Sequence, residues 1–416
     1  MESKPNPEEE RILLPTLTTN YGTSPPNVKE PSKQTFYIES SKDSEVSVPL
    51  PRVQFILAIA SLFIAIFLVS LDNTIVSTAL RGMIMDLGKQ ELAPWVGSAY
   101  MVTSAGFATL YGRFADIFGR KWVFMFAMAM FEIGSLICGV AQTMETLIVG
   151  RAIAGVGGGG MNAMVLIMIS DIVSIRDRGK YQGLVGAAVG VASILGPIVG
   201  GAFSDSSVSW RWCFYINIPF GMVAMGVVSL LRFPPFTGNM AEKLKRIDYF
   251  GALTIFLAIL CLICPLQLGG STWEWNSAPV LIMFPLSAVF FAIFVFVELR
   301  MAKDPIVPAG MFVNQNVPTL LAYAISLGAI FFSAIYFISM FFQVVFNNTA
   351  TQAGVSTIPL VLGMVVTTIG SGIFVSKTEK YVPLLYAGPV FMVIGATLTA
   401  FLDGVGVYGL TIGPIP

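Results

Sequence analysis

From Pro51 onward the chain alternates long apolar runs with short polar connections. Each run has about 20 residues, the length at which an α-helix crosses the roughly 30 Å hydrocarbon core of a bilayer. Backbone polar groups in lipid must be satisfied within the segment, so these runs are predicted to be membrane-spanning helices. Eleven spans are predicted, at 53–72, 93–112, 123–142, 146–170, 182–203, 213–231, 248–268, 278–298, 317–343, 353–375 and 383–402.

The segment before the first span has a different composition, rich in charged residues, Ser, Thr and Pro. Such a segment cannot bury enough apolar surface to offset its chain entropy, so residues 1–52 are predicted to form a disordered tail. It does not have the pattern of a signal peptide, because the first apolar run starts only at Val53 and is long enough to span.

The positions of Lys and Arg predict the orientation. If the tail is inside, the inner connections carry fourteen basic residues: Arg113, Arg120, Lys121, Arg176, Arg178, Lys180, Arg232, Lys243, Lys245, Arg246, Arg300, Lys303, Lys377 and Lys380. The outer connections carry three, Arg81, Lys89 and Arg211. The positive-inside rule therefore predicts a cytoplasmic N-terminus. Asn347, in the sequon Asn347-Asn348-Thr349, then lies outside as a weak candidate for glycosylation.

Composition limits the chemistry. Hydrophobic residues make up 55% of the 416 residues and charged residues 12%, which is typical of a protein whose partner is the lipid bilayer. The net charge is zero, so a nucleic-acid partner is not expected. There is no His, and the four Cys lie in or beside apolar runs, with Cys261 and Cys264 better explained as apolar filler than as a redox pair. No metal, no cofactor and no enzymatic activity are expected.

The stretch "GRAIAGVGGGG" (150–160) resembles a phosphate-binding loop at first sight. A dinucleotide site needs a preceding strand and an acidic residue about 20 positions on. The glycines lie instead inside an apolar run, and the next acid, Asp171, comes too soon. We expect a helix face without side chains, against which neighbouring helices can pack closely.

Arg151 lies within the fourth predicted span, where a charge is costly. Two alternatives are open: the side chain extends to an interface, or it is buried and faces an aqueous cavity with a carboxylate as partner. Asp72 and Glu132 are the candidate partners, and such a pair could take up and release protons. For Asp72 the alternative is that it only caps the end of the first span.

Two further patterns concern packing and symmetry. In span 5 small residues recur every three or four positions and predict one smooth face, at Gly183, Gly186, Gly190, Ser193, Pro197 and Gly200. The stretch "GRFADIFGRK" (112–121) is partly repeated in "GIFVSKTEKY" (372–381), where only some positions match. A long-range repeat of this kind indicates two similar halves, as in many transporters.

These motifs resemble the major facilitator superfamily. "GRFADIFGRK" resembles its signature after span 2, Arg151 with the glycines its span-4 motif, and "GVASILGPIVGG" (190–201) its antiporter motif. "LDNTIVSTAL" and "WRWCFYINIPFG" (210–221) are similar to fourteen-span drug:proton antiporters, most closely fungal toxin and multidrug efflux pumps. The resemblance extends over about residues 53–402.

The resemblance implies proton-driven export of small apolar organic compounds, such as toxins or drugs, by alternating access. It implies three groups of site residues: proton coupling by Arg151, with Asp72 and Glu132 as candidates; a conformational latch at Gly112, Asp116, Gly119, Arg120 and Lys121; and an antiporter bend at Gly190, Gly196, Pro197, Gly200 and Gly201. A monomer in the plasma membrane is expected, with the vacuolar membrane as alternative.

The expected organisation is a two-bundle all-α fold with a tail (1–52), a first six-helix bundle (53–231), a linker (232–247), two inserted spans (248–298) and a partial second bundle (299–416). The resemblance implies fourteen spans and the chain supplies eleven, so a truncated sequence is expected. Two alternatives to efflux remain: a nutrient uniporter or symporter, and a non-transporting truncated paralogue or sensor.

Overall fold

The computed structural model describes residues 51–205, 209–231, 248–270, 272–301, 306–307, 309–313, 316–344, 356 and 358–402. Those residues form eleven long helices, each overlapping one predicted span: α1 Arg52–Leu87, α2 Ala93–Phe118, α3 Arg120–Val140, α4 Met144–Ile172, α5 Arg178–Asp205, α6 Trp212–Leu230, α7 Tyr249–Leu268, α8 Ala278–Arg300, α9 Asn316–Val344, α10 Ile358–Thr378 and α11 Val382–Leu402. Eight of them are long and apolar enough to cross a membrane. The all-α polytopic architecture is confirmed.

Helix α1 is longer than predicted. It continues to Leu87 rather than ending near Asp72, so Asp72 lies inside a helix and the alternative that it only caps a helix end is wrong. The polar residues after Asp72 do not interrupt the helix because they bond to carbonyls of its preceding turn: Asn73 Nδ2 donates to Val69 O over 3.0 Å, and Thr78 Oγ1 to Ile75 O over 3.0 Å.

The buried core lies among the first six helices. Two apolar clusters draw their residues from α1–α6 and the turns between them. Helix α4 packs against α2 and α3, and α1 packs against α5 and α6. The division into domains at 53–231, 248–298 and 299–416 stays a prediction, and both the tail before residue 51 and the linker 232–247 lie outside the described residues.

Later helices pack onto two members of this core. Helix α7 lies along α2, where the rings of Phe107 and Phe256 meet at 5.2 Å. In the connection after α7, the ring of Trp273 meets that of Trp95 on α2 at 6.1 Å. A Cβ at Gly106 would lie 2.6 Å from the nearest atom of the Phe256 ring, so the absent side chain makes room for that phenyl group. Helix α8 packs on α7, and α10 packs on α5.

The helix ends define two faces of the molecule. The α2–α3 and α4–α5 turns share one face with the ends of α6 and α10; we call this the basic face. Its interhelical contacts include Lys121 Nζ with Leu231 O at 2.9 Å and Arg176 Nε with Ser376 O at 3.3 Å. On the opposite face Arg211 joins Asp86 at 2.6 Å and Ala141 O at 2.9 Å.

The glycine run lies inside the continuous helix α4, which confirms the packing interpretation. A Cβ at Gly157 would lie 2.5 Å from Ala127 O and 2.7 Å from Phe131 Cα on α3. At Gly159 it would lie 2.9 Å from Ser104 Cα on α2. Alternate glycines therefore bring two different helices to within backbone contact of α4.

The two copies of the repeated stretch occupy equivalent interhelical turns. Gly119 lies between α2 and α3 with φ +87°, and Glu379 follows α10 with φ 57°. Counted from Gly112 and Gly372, these are the same position of the repeat. Only glycine adopts this conformation without a Cβ penalty, so the first copy has the residue that suits the turn.

Replacing Gly157 with Ala is expected to destabilise the protein, because the new methyl would overlap α3 backbone atoms that cannot rotate away. Overpacking of this kind costs about 1–3 kcal/mol. Thermal unfolding of the purified protein in detergent measures the effect. The matched control is Gly97→Ala on α2, where a Cβ meets nothing within 4 Å; equal melting of the two variants would contradict the packing role.

Candidate functional site

Asp72 and Arg151 form an ion pair inside the first six helices. Arg151 Nη1 donates to Asp72 Oδ2 over 2.5 Å, and the two side chains are 2% and 0% exposed. Asp72 comes from the middle of α1 and Arg151 from the second turn of α4. The partner of Arg151 is therefore Asp72, one of the two acids that the sequence offered.

The rest of the guanidinium is also held inside the bundle. Arg151 Nε donates to Val96 O of α2 over 3.1 Å. The guanidinium carbon lies 4.3 Å from the centre of the Tyr100 ring and 5.9 Å from that of Phe214. The guanidinium makes these hydrogen bonds and aromatic contacts inside the helix bundle. The alternative that Arg151 extends to an interface is therefore wrong.

Asn217 extends the polar cluster to α6. Its Nδ2 donates to Asp72 Oδ1 over 3.4 Å and to Ser135 Oγ on α3 over 3.2 Å, and the residue is 0% exposed. Among the described residues its Oδ1 has no hydrogen-bond partner. Four helices, α1, α3, α4 and α6, thus contribute polar side chains to one buried cluster.

Glu132 lies in the seam between α3 and α6 and is 7% exposed. Within the described part of the chain both of its carboxyl oxygens lack a hydrogen-bond partner. The carboxyl group lies directly against Gly221, where any side chain would overlap it. Glu132 is therefore a second buried acid beside the pair, not a partner of Arg151.

The residues predicted to form a latch meet on the basic face. Arg120 pairs with Asp116 on the preceding helix and with Asp171 at the end of α4, the latter over 3.1 Å. Lys121 Nζ donates to Ser229 O over 2.6 Å at the end of α6. Gly119 forms the turn, and a Cβ at Gly112 would contact Ile167 of α4 at 4.0 Å.

A second set of contacts on this face links α4–α5 to α10. Arg176 pairs with Glu379 at 3.6 Å, and Ser376 Oγ donates to Asp177 Oδ1 over 3.2 Å. A Cβ at Gly372 would lie 3.0 Å from the Gly179 carbonyl carbon, so the two backbones approach closely here. The basic face is closed between α5 and α10.

The small residues of α5 face two different helices. A Cβ at Gly190 would lie 2.6 Å from Val365 of α10. At Gly196 it would lie 2.7 Å from Thr74 Cβ, and at Gly200 2.6 Å from Ile75 O, both on α1. Pro197 lies inside the continuous helix, and a Cβ at Gly201 meets nothing within 4 Å.

Comparison with known proteins identifies the family of the chain. The profile of the Major Facilitator Superfamily matches residues 62–413. The chain belongs to this superfamily. It is 38% identical to efflux pump aflT of Aspergillus parasiticus over 364 residues, which is 86% of this chain and 71% of that protein.

Other relatives of this Major Facilitator Superfamily member extend the comparison. Multidrug resistance protein 3 of Bacillus subtilis is 38% identical over 321 residues, 77% of this chain and 62% of that protein. Among solved structures, the proton:xylose symporter XylE matches 78% of this chain and 70% of its own, at 14% identity and a TM-score of 0.48. The family consists of transporters rather than enzymes, so this protein is an integral multi-pass membrane transporter.

Sequence reasoning missed several members of the site. In the sequence Asp171 stands out only as the acid that follows the glycine run. Its place at the end of α4, level with Arg120, is the signal that could have indicated the Arg120–Asp171 pair. Arg176 and Glu379 lie in polar connections about 200 residues apart, the α4–α5 turn and the turn after α10, and no local pattern relates them. Asn347 lies outside the described residues.

Removing one charge of the buried pair is expected to be more harmful than removing both. Asp72→Leu leaves Arg151 charged and unpaired and should cost about 3–5 kcal/mol, whereas combining it with Arg151→Met should recover most of that loss. Unfolding of the purified protein in detergent micelles measures both. Additive effects of the two single changes would contradict an ion pair.

Proposed function

We propose that this transporter exports small apolar organic compounds in exchange for protons, by alternating access. The observation that carries the proposal is the buried Asp72–Arg151 pair, which places a carboxylate and its cationic partner inside the bundle, away from solvent. Relatives named efflux pump and multidrug resistance protein support the direction and the substrate class. In this proposal transport needs no cofactor, and the driving ion is the proton.

A proton gradient is sufficient for this task. One charge moved across about 100 mV is worth about 2.3 kcal/mol. At about 1.4 kcal/mol per tenfold ratio, this sustains roughly a 50-fold gradient of a neutral substrate. The charge on Asp72 is also coupled to packing, because protonation removes the negative partner of Arg151 and leaves the guanidinium with Val96 O and the aromatic rings.

A continuous set of contacts leads from Asp72 to the far side of the protein. Two residues further along α1, Thr74 donates to Ala192 O of α5 over 3.4 Å. The glycines of α5 then pack against α10. Protonation of Asp72 can therefore shift α1 against α5, and α5 against α10. In this proposal the latch on the basic face, from Asp116 to Lys121, holds the state in which α5 and α10 are closed.

The basic face is proposed to be cytoplasmic. Arg120, Lys121, Arg176 and Lys180 lie at this face, and the start of α1 lies there too, because Phe55 contacts Tyr181 at 5.8 Å. By the positive-inside rule, this supports the proposal of a cytoplasmic N-terminus. We propose a monomer in the plasma membrane, as is typical of drug exporters.

Asp72→Asn is expected to abolish proton-driven efflux, because the amide cannot be ionised and so cannot load and release a proton. Accumulation of a fluorescent apolar drug in inside-out vesicles, with and without a proton uncoupler, measures the effect. Glu298→Gln is the matched control, since Glu298 is a buried acid on α8 that accepts from Ile306 N over 2.8 Å away from the pair. Accumulation that survives complete uncoupling in the parent protein would refute proton coupling.

Asp116→Asn is expected to slow turnover without affecting membrane insertion, because Arg120 loses one of its two carboxylate partners. An exposed pair contributes at most about 1 kcal/mol, which corresponds to a rate change of roughly fivefold or less. Initial transport rates normalised to protein in the membrane measure it, with the exposed Glu91→Gln on the opposite face as control. A variant as fast as its parent would contradict the latch.

A further inference from the structure

The seam between α3 and α6 contains two matched levels of contact. Ser135 meets Asn217 at one level, and Glu132 meets Gly221 at the next. Residues three apart on α3 and four apart on α6 lie on one face of their helix, about one turn from each other. Glu132 is therefore one turn nearer the basic face than the Asp72–Asn217–Ser135 cluster.

The amide of Asn217 is oriented by its neighbours. An ionised carboxylate can only accept hydrogen bonds, so the NH₂ group must face Asp72 Oδ1. Both amide hydrogens are then used, on Asp72 and Ser135. The buried Oδ1 is left needing a donor, while the nearby Glu132 has two carboxyl oxygens without partners in the described structure. A protonated Glu132 carries the hydrogen that Oδ1 lacks.

We propose that Asn217 is a positioning residue that links the proton on Asp72 to the proton on Glu132. The inference rests on the proposed proton coupling and specifies how it works. When Asp72 is ionised, the Asn217 NH₂ faces Asp72 and its Oδ1 accepts from protonated Glu132. When Asp72 takes up a proton, its hydroxyl needs an acceptor, so the amide turns over. Oδ1 then accepts from Asp72, and the NH₂ group faces the Glu132 carboxylate.

Charge balance favours an arrangement in which only one of the two acids carries a proton at a time. The cluster holds one fixed positive charge, Arg151, and two acids, so it is neutral only when one acid is protonated. The other titratable groups around it are Tyr100 on α2, Cys138 on α3 and Cys213 at the start of α6, none of which supplies a second positive charge. In each cycle one proton enters at Asp72 as one leaves from Glu132; the cycle closes when the proton held by Asp72 passes to Glu132 and the amide turns back, so that the net movement is a single proton toward the basic face.

Gly221 makes the arrangement possible. A Cβ at this position would overlap the Glu132 carboxyl group, which would force it out of the seam. The same stretch, "WRWCFYINIPFG", supplies both Asn217 and Gly221. In this proposal two residues of the stretch that resembles drug:proton antiporters therefore have a physical role in this chain.

Infrared spectroscopy of the full-length purified protein at neutral pH tests the link through the C=O stretching band of a buried carboxylic acid. The parent protein should show the band. Both Glu132→Gln and Asp72→Asn should lose it, because a single remaining acid is ionised opposite Arg151. Glu298→Gln should retain it. Absence of the band in the parent, or its survival in Asp72→Asn, would overturn the proposal.

Asn217→Leu tests the positioning role itself. Without the amide NH₂ an ionised Glu132 has no hydrogen-bond donor in the seam, so Glu132 should stay protonated even when it is the only acid left. The band should therefore survive Asp72→Asn and disappear only with Glu132→Gln. Proton-driven efflux should fall roughly tenfold or more, as expected for loss of a hydrogen bond to a charge. Thr254→Val on α7, another buried polar side chain, is the matched control.

Asn217→Ala is measured in parallel, in case the leucine variant does not fold. If the band is still lost in the Asp72→Asn form of both Asn217 variants, the positioning role is wrong. The spectra need no transport, so they separate this result from a failure of the proposed function, which would appear as uncoupler-insensitive efflux in the parent.

Discussion

The structure depends on one ion pair placed where ion pairs are hardest to maintain. Asp72 and Arg151 are withdrawn from solvent in the middle of the first six helices. A charge at this depth persists only with a partner and further polar contacts. Val96 O and Asn217 supply hydrogen bonds, and the face of the Tyr100 ring lies against the guanidinium. The close packing of α4 on α2 and α3 also stabilises the ion pair, because the glycines bring the helices near enough for these contacts.

The apolar pattern was sufficient to predict the helices but not all of their ends. Eleven predicted spans correspond to eleven helices of the described chain, because lipid allows each long apolar run only one regular structure. The end of α1 was misplaced because Asp72, Asn73 and Thr74 look like a polar connection. In the structure their side chains bond to α1 itself or to its neighbours, so the helix continues through them.

The candidate site was predicted unevenly for a related reason. Charged residues in apolar runs are conspicuous, and Arg151, Asp72 and Glu132 were found by that criterion alone. Asn217 is uncharged and Asp171 lies at a helix end, so neither stands out in one dimension. The choice between Asp72 and Glu132 as the partner of Arg151 depends on which side chain faces α4 across the bundle, and no local pattern contains that information.

The contact between α7 and α2 carries a constraint on how this protein can change. Phe256 occupies the space that a side chain at position 106 would need, so the two positions share one fixed volume. A larger residue at 106 is admissible only together with a smaller one at 256. Positions 150 residues apart in the chain are therefore expected to vary in size together, because a side chain added at 106 alone would push α7 away from α2.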